Sequence, residues 1–114
     1  AHTTGGNYSH SVSKNYQLTV DGNLTIKVGG TLTLESGGDL SVKSGANLSA
    51  QAAMELTQQA GSSLTNKAGT SLENKAGTTL TNDAGISLIS KGGASQTVDG
   101  GSMLILKGGL VKVN

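Results

Sequence analysis

The stretch Leu24-Thr-Ile-Lys-Val-Gly-Gly-Thr-Leu32-Thr-Leu-Glu-Ser-Gly-Gly-Asp-Leu40-Ser-Val-Lys-Ser-Gly-Ala-Asn-Leu48 decides the fold. Leu returns every eighth residue, and the row runs on through Leu56, Leu64, Leu72, Leu80 and Leu88. Gln96 breaks it once and Leu104 resumes it. Five residues after each of these positions stands a Gly, from Gly29 to Gly109, with Ala53 the exception. A fixed period of this kind signals stacked equivalent units.

Eight is not a helical period, because heptads fit 3.5 residues per turn and eleven-residue repeats fit 3.67. A Gly in every octad would also weaken a helix by about 1 kcal/mol each time. Between the glycines the residues alternate. In Leu24-Thr-Ile26-Lys-Val28 and Leu32-Thr-Leu34-Glu-Ser36 the apolar or small residues take every second place. That alternation predicts a half-buried strand of about five residues. A tight turn is expected at the Gly, where a positive φ costs little.

Composition narrows the core. Hydrophobic residues make up 34 % of the 114, and there is no Phe, Trp, Cys or Pro and only two Tyr. A compact domain of this length has too few large side chains here to fill its middle, so any core is slender. A polar composition can mean disorder, but the register held from Leu24 to Leu104 argues against it. The formal net charge of +1 does not mark a nucleic-acid binder. No apolar run approaches the ~18 residues of a membrane span. Nothing at the start resembles a secretory signal; if the protein leaves the cell, something else exports it. Without Cys there is no disulfide to form.

The sequence divides into three segments. In residues 1–23 Tyr8 and Tyr16 take the Leu row, while Leu18 and the valines Val12 and Val20 fill neighbouring inward rows. His2 and His10 lie here too, and two His in one chain are too few for a closed metal site. Residues 24–97 form the regular shaft. Its second inward row is apolar at Ile26, Leu34, Val42 and Ala50, then polar at Gln58, Asn66, Asn74, Asn82 and Ser90. Residues 98–114 regain apolar character and form a terminal segment. Outward rows are rich in Thr and Ser, which suit strands. Six of the eight Lys, from Lys27 to Lys107, share one outward row with Glu35, Asp83 and Asp99 among them. That row reads as a solvated edge of mixed sign.

Two architectures fit an octad. A single-chain solenoid would use three octads per triangular turn and leave a superperiod of 24 residues. No such superperiod is present. Equivalent octads imply equivalent surroundings, which threefold symmetry between chains supplies. The expected fold is therefore all-β: a triple-stranded, intertwined homotrimeric β-prism or β-helix whose ladders run mostly between chains. Its core would be Leu24, Leu32, Leu40, Leu48, Leu56, Leu64, Leu72, Leu80, Leu88 and Leu104. Gln58, Asn66, Asn74 and Asn82 would form stacked axial rings of amides, satisfied by one another or by water.

These octads, and the ending Val98-Asp-Gly-Gly-Ser-Met-Leu-Ile-Leu-Lys-Gly-Gly-Leu-Val-Lys-Val-Asn114, resemble the C-terminal β-prism of VgrG proteins, the spike of the type VI secretion system. Contractile-phage tail needles share the octad. The resemblance covers essentially the whole chain and implies a needle segment of a longer protein. It implies a homotrimer assembled in the bacterial cytoplasm and secreted through the type VI machine. It also implies a PAAR-repeat protein at the C-terminal tip, and the apolar terminal segment, through Leu110, Val111, Val113 and Asn114, is the expected docking surface. Effectors or adaptors are further implied partners, and the target membrane a transient one. The His-x-His ending of some phage needles has no counterpart here, and no cofactor is expected.

An enzyme is not expected. His2 and His10 lack an organised nucleophile, and the acids occur singly rather than as the carboxylate pair of a glycosidase. The nine-residue repeat of calcium solenoids is missing. The alternatives are a phage-type tail needle and a trimeric surface stalk or binding module. A glycan-binding stalk would normally expose more aromatics than Tyr8 and Tyr16.

Overall fold

A computed structural model describes all 114 residues, in two units, Ala1–Leu56 and Thr57–Asn114. In the first unit the backbone bends at Gly5–Gly6, Ser13–Lys14, Asp21–Gly22, Gly29–Gly30, Gly37–Gly38, Gly45–Ala46 and Ala53–Met54. In the second it bends from Gly61–Ser62 to Gly109–Leu110 at the same interval of eight. The interruption of the Leu row at Gln96 does not disturb the interval, since bends stand at 93–94 and 101–102 as the period requires. Between bends the chain is extended.

Neither unit contains a helix or a strand ladder. Within each unit no residues twelve or more positions apart come within 8 Å of one another, Cα to Cα. A ladder needs a neighbouring extended segment about 4.7–4.9 Å away, and a chain that bends without doubling back offers itself none. The alternation of the octad therefore produces extended segments in one chain but no sheet.

No side chain is buried in either unit. The accessible surface is 12710 Å², against about 5,700 Å² for a compact monomer of 11.3 kDa and about 16,400 Å² for its unfolded chain. One chain thus leaves most of its surface open, and a folded state with a core requires further chains.

The turns correct one expectation. All the Gly-row residues from Gly5 to Gly109 have negative φ except Gly101, at +63°. The bend does not need the left-handed region, which explains why Ser13, Asp21 and Ala53 take the Gly row without disturbing it. What secures two of the bends is a Ser two residues before the tip. Ser36 Oγ donates to the Asp39 carbonyl at 2.9 Å and Ser44 Oγ to the Asn47 carbonyl at 2.8 Å. The Ala46 N–H donates to Ser44 Oγ at 3.3 Å. Such local hydroxyl bonds stand in for backbone turn bonds.

Near the C-terminus the Ser is replaced by Gly and the turn tightens. A Cβ at Gly92 would collide with the Ser95 carbonyl, and one at Gly100 with the Met103 carbonyl. In Asp99-Gly-Gly-Ser-Met103 the Met103 N–H donates to the Gly100 carbonyl at 3.1 Å. Asp99 Oδ1 accepts from the Gly101 N–H at 2.8 Å. Positive φ at the first central position alone is the requirement of a type II′ turn.

Candidate functional site

Side-chain contacts sort the rows onto two faces. The His2 ring meets Tyr8 edge-on at 5.4 Å, and His10 meets Tyr16 at 5.3 Å. Gln96 Nε2 donates to Ser90 Oγ at 2.9 Å. All three contacts span six residues and join the second inward row to the Leu row. The two rows therefore share a face, as the alternation predicts. On the other parity, Lys75 Nζ pairs with Glu73 Oε1 at 3.1 Å, joining the Thr-rich row to the Lys row. Both side chains are more than two-thirds exposed, so this pair adds little stability.

The Leu row is the candidate site, because it is apolar, periodic and uncovered. Its members range from 53 % exposed at Leu104 to 67 % at Leu88. Large apolar side chains left open at every octad favour burial against a partner, and the row recurs in both units. Gln58, Asn66, Asn74 and Asn82 stand exposed on the accompanying row. Leu110 and Val113 are among the more exposed apolar residues of the second unit, and Val111 is about half exposed.

Two features escaped the alternation. Met54 and Ile86 sit at bend tips and are fully exposed; the period places them there, but reading only strand positions passes over them. His2 and His10 lie on the second inward row, since positions 2, 10, 18 and 26 are one octad apart. His10, Val12 and Tyr16 line a concavity beside it. In one chain no group of three or more metal-binding side chains gathers. No helix is long and apolar enough to cross a membrane.

Residues 6–29 match the Gp5 C-terminal repeat in three copies. Three copies over these 24 residues make each copy eight residues long, the interval of the bends. The match falls where the Leu row is carried by Tyr8 and Tyr16, and it extends the octad into the segment whose composition departs most from the shaft. Gp5 C-terminal repeats are structural, non-catalytic modules that form intertwined trimeric β-helices, the repeat of phage spikes and VgrG-type needles. No curated protein and no solved structure matches the chain.

Proposed function

We propose that this chain is a shaft segment of a type VI secretion spike: a rigid homotrimeric β-prism that helps puncture a target membrane and carries a tip protein and effectors. The observation that carries the reading is the unbroken octad register, which leaves one apolar row uncovered along both units. Three chains related by a threefold axis would turn Leu24 through Leu88, with Leu104, toward one another and close the ladders that a single chain lacks. Gln58, Asn66, Asn74 and Asn82 would stack as amide rings on the axis. Leu110, Val111, Val113 and Asn114 would form the docking surface for a PAAR-repeat tip. Such a spike assembles in the bacterial cytoplasm and leaves through the secretion machine.

Light scattering on a sizing column tests the assembly. Three times 11.3 kDa is expected, and a well-folded particle of single-chain mass would refute the trimer. The match to the Gp5 repeat favours a second reading, a phage-type tail needle. The two separate in the source bacterium: a type VI spike appears in the culture medium only when the contractile sheath is intact. Release that is indifferent to the sheath would favour the phage needle.

A further inference from the structure

We propose that His2 and His10 build a transition-metal site on the threefold axis, incomplete in one chain and completed by two further copies. This rests on the trimeric reading above. The residues lie eight apart in a register of eight, so each falls on the same row, one layer apart. That row shares its face with the Leu row, as the His2–Tyr8 and His10–Tyr16 contacts record. The two contacts repeat one geometry: ring centroids 5.4 and 5.3 Å apart and planes at 82° and 84°. Both imidazoles are thus held in the same pose by an aromatic of the next octad. No other residue of the second inward row combines a metal ligand with such a support.

Threefold symmetry turns each His into a ring of three. Two rings then lie in adjacent layers, about 4.7–4.9 Å apart along the axis. Three imidazole nitrogens converging on one point are a metal-ligand set, with zinc–nitrogen distances of about 2.0–2.1 Å. Imidazole suits zinc, copper, iron and nickel rather than calcium or magnesium. Leu18, the next residue of the row, closes the site below with apolar side chains, so the row changes from ligand to core within one octad. The His2 Nε2 and Thr4 Oγ1 atoms are 3.2 Å apart. In the tautomer whose Nε2–H donates to the Thr4 hydroxyl, Nδ1 is left as the ligand, and such an outer hydrogen bond helps to fix a metal-bound His. The spacing also explains why the site is invisible in one chain, where a ligand set of three does not form.

The test uses the full chain, stripped with a chelator and weighed by light scattering before Co²⁺ is added. Cobalt reports coordination through its visible absorption. One or two Co²⁺ per three chains is the expected result, with bands of nitrogen coordination. In the His2→Ala/His10→Ala double variant binding should fall at least a hundredfold while the trimer mass is unchanged. A trimer that binds no Co²⁺ overturns the site and leaves the spike reading standing. Retention of Co²⁺ by the double variant overturns it equally. A particle of single-chain mass overturns both the site and the trimer.

Discussion

Leu40 is 63 % exposed in the single chain, although the alternation assigns it to the face expected to be buried. Its place in the proposed trimer makes one substitution count three times per layer. Leu→Ala changes in a core cost about 2–5 kcal/mol per site. Leu40→Asp should be worse, because it sets three like charges around one axis with little water to screen them. It is expected to abolish trimer assembly on a sizing column. Thr33 lies on the opposite parity, the face on which Glu73 and Lys75 pair in solvent. Thr33→Asp is expected to leave mass and melting temperature nearly unchanged. Normal assembly of Leu40→Asp would mean that the Leu row does not face the axis.

At the scale of the element, the octad has two kinds of turn. Most bends have negative φ, and at Gly45 a Cβ would meet nothing within 4 Å. Ala53 already occupies this row without loss of the bend. Gly45→Ala is therefore expected to be neutral or to stabilise by about 0.4–1 kcal/mol, through the unfolded chain. The Asp99–Met103 turn behaves differently, because Gly101 is left-handed and Gly100 approaches the Met103 carbonyl. Gly101→Ala is expected to cost about 1–2 kcal/mol per chain, and Gly100→Ala to displace the turn outright. Denaturant melts of the three variants check the ranking; a Gly45→Ala loss as large as that of Gly101→Ala would mean that the two turns do not differ. The sequence made the period, the alternation and the bend positions legible, because Leu and Gly recur at fixed offsets. It did not reveal the sign of φ, since Gly permits both signs. Ser13 and Ala53 carried that information, as residues that avoid the left-handed region. The pairing of His2 and His10 with the Tyr row was legible in their spacing, yet counting ligands within one chain hides it.

At the largest scale, a prism has to end somewhere. The last layer of any open ladder leaves unpaired backbone groups, an aggregation liability unless something covers it. This chain makes the liability greater. Met103, Leu104, Ile105 and Leu106 are consecutive and apolar, and Val111 and Val113 stand on the parity that is mostly polar upstream. Leu110 is at a bend tip and 85 % exposed, and Val113 is 89 % exposed. Charged or bulged residues that commonly protect an edge are few here, with Lys112 the one charge after Lys107. A segment this apolar, with so few charges, suits a permanent partner better than solvent. In the proposed spike that partner is the PAAR-repeat tip, seated on Leu110, Val111, Val113 and Asn114 of three chains. The competing account is that Met103–Leu106 pack only on the trimer's own final layers, in which case the last five residues serve no docking role. Removing residues 110–114 separates the two. The truncated chain should keep the trimer mass, because the Leu row ends at Leu104, and should lose capture of the tip protein in a pull-down. Undiminished capture by a truncated trimer would place the docking surface elsewhere.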